Sequence, residues 1–181
     1  WLAEQLPWIC DEGVDFLILE TFSWLDEALI ALEMAQESGL EVVTTVSLEG
    51  EGGRTFDGFS PAQCAQQLAD AGADVIELGM PFSDPLAEGT TIQASSFHAL
   101  QQGVSLKRCV EVASILREKL PKLPLVLMGY YNPVLNYGLS TFVKEARQAG
   151  VDGVIVADLP SEESGPLSAA CAVRGMHLIP L

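Results

Sequence analysis

One local unit recurs along this chain and limits its fold more than any other feature. A helix-like stretch ends at a glycine, one small or apolar residue and one polar residue follow, and an apolar run begins. Gly13-Val14-Asp15 precedes FLILETF, and Gly39-Leu40-Glu41 precedes VVTTVSL. Gly72-Ala73-Asp74 precedes VIELGM, Gly150-Val151-Asp152 precedes GVIVADL, and Gly175-Met176-His177 precedes LIPL. Lys122-Leu123-Pro124 introduces another such run, LVLMGY. Glycine after a helix supplies the left-handed cap that other residues resist. The runs are continuously apolar rather than alternating, which predicts strands covered on both faces. Strands alternating with helices, without hairpin turns, mean a parallel sheet.

The strands are expected at about 16–22, 42–48, 74–80, 124–130, 153–159 and 177–181. Helices are expected at about 2–12, 25–38, 61–71, 105–119, 139–149 and 162–174, with a shorter piece near 91–102. Ser60-Pro61 reads as an N-cap followed by proline at the first helical position. Glu49 to Phe59 is the longest irregular segment. The fold class is α/β, of the parallel (β/α) TIM-barrel type. A complete barrel has eight strands in roughly 250 residues, so six strands in 181 residues make an incomplete or chimeric barrel. A fragment, a barrel completed by another chain and an open sheet all fit.

Composition narrows the function. The chain has 25 acidic and 9 basic residues, a net charge of −16, which argues against binding a nucleic-acid backbone. Its four cysteines form no Cys-x-x-Cys pair, and its two histidines stand far apart, so no metal site is expected. No signal peptide is visible, and no apolar run approaches the ~18 residues of a membrane span. A reduced, cytoplasmic setting follows by default.

The run Ile76 to Gly89, IELGMPFSDPLAEG, carries the chemistry. It sets Glu77 inside the apolar strand residues Val75, Ile76 and Leu78, where a charge is costly unless it has partners or a task. A Gly-Met-Pro exit follows, then a loop with Asp84 and Glu88. In parallel α/β proteins, sites are built in the loops after the strands' C-terminal ends. Tyr130, Asn132 and Asp158 follow later strands and belong on the same rim.

This run resembles the active-site strand and loop of the tryptophan synthase alpha chain family. The likeness continues through Thr91-Ile92-Gln93, Val126 to Pro133 and Gly150 to Pro160, and covers about 71–181. It implies a lyase that cleaves indole-3-glycerol phosphate, by a retro-aldol route, to indole and glyceraldehyde 3-phosphate in tryptophan biosynthesis. By resemblance Glu77 is the acid–base group, and Glu88 stands where the family usually has Asp, as partner of the indole nitrogen. Tyr130 would line the indole pocket. Pro81, Asp84 and Asn132 would face a partner beta chain. The alpha-type chain needs no cofactor, and pyridoxal phosphate is expected only in that beta chain. The family's phosphate-binding loops come after its later strands, beyond this sequence, which implies impaired activity. Self-association would be one way to complete the barrel.

Residues 8–70 read differently. Val14 to Phe22, Glu27-Ala28-Leu29, Gly53 to Gly58 and Ser60-Pro61 resemble homocysteine S-methyltransferases, in which the residue matching Glu20 holds the substrate. That family's zinc-binding Cys corresponds to Met80, a poor zinc ligand, so specific zinc binding is not expected. Glu20 then reads as a buried acid without its former task. The expected organisation is one barrel-type domain over 1–181, with units of one family over 1–70 and of the other over 71–181. A non-catalytic chimeric or truncated scaffold is the first alternative, and a homocysteine S-methyltransferase the second.

Overall fold

The computed structural model describes residues 2–48 and 53–181 of the protein. The elements run α1 (Leu2–Asp11), β1 (Phe16–Phe22), α2 (Leu25–Gln36), β2 (Glu41–Val46), α3 (Pro61–Asp70), β3 (Val75–Gly79), α4 (Thr90–Gln101) and α5 (Leu106–Lys119). They continue with β4 (Leu125–Gly129), α6 (Tyr131–Tyr137), α7 (Leu139–Gln148), β5 (Gly153–Val156), a 3-10 turn (Ser161–Glu163), α8 (Gly165–Val173) and β6 (His177–Ile179). The strands form a six-stranded sheet in chain order, with parallel pairing, as the recurring unit predicts. The chain divides into two compact units, Trp1–Ile76 and Glu77–Leu181.

In the first unit, β1 and β2 pair with Leu17 opposite Val42 and Leu19 opposite Thr44. These four side chains are buried, together with Ala28, Leu32 and Ala35 of α2. The other face of β1 behaves differently. Phe16 and Ile18 are each 50% exposed, and Glu20 is exposed as well. The expectation of cover on both faces therefore fails for β1, and Glu20 is not a buried acid. Side-chain direction alternates along a strand, so the buried Leu17 and Leu19 share one face and Phe16, Ile18 and Glu20 share the other. At its end β1 bulges. The register shifts between Leu19 and Phe22, and Thr21 adopts φ 63°. A β-branched residue is rarely left-handed. The Thr45 hydroxyl holds this one by accepting the Thr21 N–H at 2.7 Å.

Ser60 opens α3 as expected. Gln63 Oε1 accepts from the Ser60 N–H at 3.0 Å and from its hydroxyl at 2.8 Å, with Pro61 at the first turn. Of the irregular segment ahead of it, residues 49–52 lie outside the described residues. Thr55 closes the rest, its N–H donating to Phe59 O at 3.0 Å and its hydroxyl accepting the Phe59 N–H at 3.0 Å.

In the second unit, β4 and β5 pair from Val126–Gly153 to Gly129–Val156, and β5 pairs with β6. Leu127, Val154 and Val156 join Phe142, Val143 and Ala146 of α7 and Leu167 of α8 in one core. The β5 strand stops at Val156 rather than Leu159, because the Leu159 N–H turns back to Val156 O at 3.2 Å. Gly150 (φ 88°) shows why glycine ends α7. A Cβ there would stand 2.5 Å from Arg117 Cγ. Helix α6 is absent from the sequence-based reading, which left Tyr131 to Tyr137 without an element.

Candidate active site

The candidate site lies in the second unit and is built from the exits of β3, β4 and β5. Glu77 is the third residue of β3 and is half-buried. Its neighbour Leu78 packs on the core, so alternation turns Glu77 to the opposite face. The strand then leaves through Gly79 and Met80. Met80 is buried in the core, and its N–H donates to Met128 O at 2.7 Å. Gly129 permits this approach. A Cβ on it would stand 2.9 Å from Met80 Cε and 3.3 Å from Met80 O.

Beyond Met80 the loop is tied down at several points. Pro81 and Phe82 are half-buried, and the Phe82 ring lies 5.3 Å from that of Tyr130. Ser83 Oγ donates to the exposed Asp84 carboxylate at 2.5 Å, and the Leu86 N–H donates to Asp84 O at 2.9 Å. Tyr130 is buried and does more than fill space. Its hydroxyl accepts the Ala87 N–H at 2.9 Å, next to Glu88. Glu88 is half-buried, its N–H donating to Pro85 O at 3.2 Å. Gln93 of α4 donates its side-chain amide to Glu88 O at 2.9 Å.

The charges converge on Tyr130. Burial pushes its phenol above the usual value. The Ala87 N–H works against that rise, and the carboxylates of Glu88 and Asp158 add to it. Asp158 is exposed on the β5 exit and has a second task. Its Oδ1 accepts the Tyr131 N–H at 2.7 Å and so caps α6. Asn132, also exposed, takes a hydrogen bond from Asn136 at 3.4 Å along α6.

The structure thus joins Tyr130 with Glu88 and Asp158, and runs Pro81 and Asp84 along the same loop. Glu77 belongs to the strand that feeds it. His98 and His177 lie in α4 and β6. Phe82, Gly129 and Gln93 carry structural duties that sequence reasoning did not assign. The signal available for Gly129 was a glycine inside an apolar strand, which marks a close backbone approach. Among the described residues, no group of three or more His, Cys, Asp or Glu could hold a metal ion. Cys64, Cys109 and Cys171 are buried, and Cys10 is half-buried. Burial pushes Cys109 up to about 12 and Cys64 up to about 11, which makes them poor nucleophiles.

The family model of the tryptophan synthase alpha chain matches residues 27–181. This chain belongs to the tryptophan synthase alpha chain family. The tryptophan synthase alpha chain of Roseiflexus castenholzii is 51% identical over 115 residues, which are 64% of this chain and 44% of that one. A crystal structure of the alpha subunit from Legionella pneumophila superposes with a TM-score of 0.67 at 32% identity, covering 85% of this chain and 56% of the other. The tryptophan synthase a2b2 complex of Pyrococcus furiosus, described for its mutual activation, matches with a TM-score of 0.60 at 37% identity over 64% of this chain and 49% of that one. The chain spans about half the length of the curated relatives it matches. The match begins at residue 27, well inside the 8–70 segment expected to belong to another family. No helix among the described residues is long and apolar enough to cross a membrane.

Proposed function

We propose that this chain carries the acid–base machinery for retro-aldol cleavage of indole-3-glycerol phosphate to indole and glyceraldehyde 3-phosphate. The observation that carries the reading is the anchored loop. The segment after the Glu77 strand is held by the Tyr130 hydroxyl beside Glu88, in a chain of this family. Cleavage needs a proton delivered to indole C3, rupture of the bond from C3 to the glycerol chain, and loss of the proton from the neighbouring hydroxyl as the aldehyde forms. Glu77 is the group for that exchange, since a carboxyl positioned against the reacting atoms can both give and take a proton. Glu88 stands at the indole N–H, where a carboxylate stabilises the positive charge that builds on the ring as C3 is protonated. Tyr130 bounds the indole pocket.

The partner in this reading is a beta chain that holds pyridoxal phosphate, and Pro81, Asp84 and Asn132 face it. The setting is the cytoplasm. The likeness to homocysteine S-methyltransferases stays a proposal for the segment ahead of residue 27, where the Phe16–Phe22 strand carries it. Over 27–70 the family match speaks against it. An indole-release assay on the chain, with and without a beta chain, tests the reading. Glu88→Asp, which restores the family's usual residue, should hold or raise the rate. A Glu88→Ala variant that keeps the parent's rate would remove Glu88 from the role.

A further inference from the structure

We propose that Gln93 is a positioning residue for Glu88, a role that rests on the reading of Glu88 as the partner of the indole nitrogen. Gln93 is the fourth residue of α4, and its own N–H donates to Gly89 O at 3.0 Å. Its side chain turns back toward the loop. Nε2 reaches Glu88 O at 2.9 Å and Pro85 O at 3.5 Å, so one amide group spans both carbonyls of the turn. A primary amide has two N–H donors, which is the number this requires. The Glu88 N–H donates to Pro85 O within the same turn, at 3.2 Å. The preceding Ala87 N–H goes to the Tyr130 hydroxyl at 2.9 Å. The backbone of Glu88 is therefore held on both sides, by α4 through Gln93 and by the exit of β4 through Tyr130.

The consequence is kinetic rather than global. Gln93 is exposed, and an exposed hydrogen bond adds little to overall stability. Its value is local, because a catalytic group displaced by about an ångström can lose ~10²-fold in rate. Glu88 carries its carboxylate on a flexible stem, so fixing its backbone removes the freedom nearest the chain.

The test uses the full chain. Gln93→Leu keeps the bulk and removes both donors, and Gln93→Glu keeps the shape and turns the donors into acceptors. In both variants, amide hydrogen exchange at Ala87 and Glu88 should quicken by about tenfold or more, while core amides such as Leu127 and Val154 keep their protection. With substrate, kcat should fall by roughly tenfold with KM changed less than about twofold, because the lost interaction acts on the transition state. In a Glu88→Ala background, Gln93→Leu should cause no further loss. Unchanged exchange at Ala87 and Glu88 overturns the staple whatever the activity. Faster exchange with an unchanged kcat overturns the positioning role. A Glu88→Ala variant with full activity overturns the reading of Glu88 and that role with it, and the exchange data still decide whether the staple exists.

Discussion

The two units solve one structural problem with different side chains. In each, a Gly-x-Asp turn leads into a strand, and the aspartate binds the start of the strand before it. In the first unit, Asp74 accepts the Val42 N–H at 2.9 Å and returns its own N–H to Val42 O at 3.2 Å. In the second, Asp152 accepts the Leu125 N–H at 3.0 Å and returns its N–H to Leu125 O at 2.9 Å. The support behind each turn is where they part. Gln36, the last residue of α2, donates one hydrogen bond to Ala71 O at 2.6 Å. Arg117, near the end of α5, reaches Gly150 O twice, Leu120 O and the Asp152 carboxylate, the last at 2.6 Å. Arg147 adds a second cation to Asp152 at 3.3 Å. The recurring turn specifies the connection, and the residue behind it decides how firmly that connection is held.

The same contrast holds at the strand exits. Asp57 accepts the Asp26 N–H at 3.1 Å and caps α2, while Asp158 caps α6. Glu20 and Glu77 are both carboxylates set in apolar strands, yet Glu20 is exposed and Glu77 is half-buried. Among the described residues, only the second unit ties its exit loop to an aromatic hydroxyl beside a further carboxylate. In the first unit the aromatics Trp24 and Phe56 meet at 6.0 Å with both half exposed.

The sharpest way to break this contrast is to compare the two glutamates. Glu77→Gln should lower indole release by ~10²–10⁴-fold with the fold intact, since glutamine cannot exchange the proton. Glu20→Gln should leave the rate within about twofold. Equal effects from the two substitutions would mean that the chemistry is not confined to the second unit.

Next in size is the support behind the turns. Arg117→Met keeps the aliphatic stem and removes every donor, leaving two carbonyls and Asp152 short of partners. It should cost about 2–4 kcal/mol in urea unfolding. Gln36→Leu should cost less than about 1 kcal/mol, because one exposed hydrogen bond is at stake. A Gln36 variant as damaging as the Arg117 variant would show that the extra contacts in the second unit add nothing.

The caps come third. Asp158→Ala should cost about 1 kcal/mol, the usual value of a lost helix cap. It should also slow indole release, because α6 begins immediately after Tyr130. Asp57→Ala should cost a similar amount with no change in rate. A rate loss in both variants would erase the distinction between a cap beside the site and a cap remote from it.

The smallest effect concerns acid. Burial pushes the Asp57 carboxyl up, but hydrogen bonds from the Thr55 side chain and from the backbone N–H groups of Leu25 and Asp26 outweigh it, and the net shift is downward. A carboxyl lowered in the fold stabilises the protein above its unfolded pKa and loses that contribution as pH falls through the folded value. The Asp57 contribution should therefore be complete above about pH 5 and fade below about pH 4. Asp57→Asn should flatten that part of the stability–pH curve. A slope identical to the parent's would mean that the cap does not depend on charge.

The sequence set out the strands in order and, among the described residues, every α-helix but α6. Strand and helix periods, the glycine stops and the Ser60-Pro61 start are local signals, and a local signal survives without knowledge of the fold. It also located the loop that bears Asp84 and Glu88 and the strand that bears Glu77. What it could not decide depends on partners distant along the chain. Helix α6 was illegible because Tyr131 to Tyr137 contains Pro133 and two asparagines, and its cap arrives from Asp158, far beyond it in sequence. The exposure of Glu20 was illegible because an apolar run looks the same whether one face is covered or two. The task of Tyr130 was hidden too, since only the fold brings its hydroxyl to the Ala87 N–H. Periodicity sets which side of a strand a residue faces. Tertiary packing alone decides what it meets there.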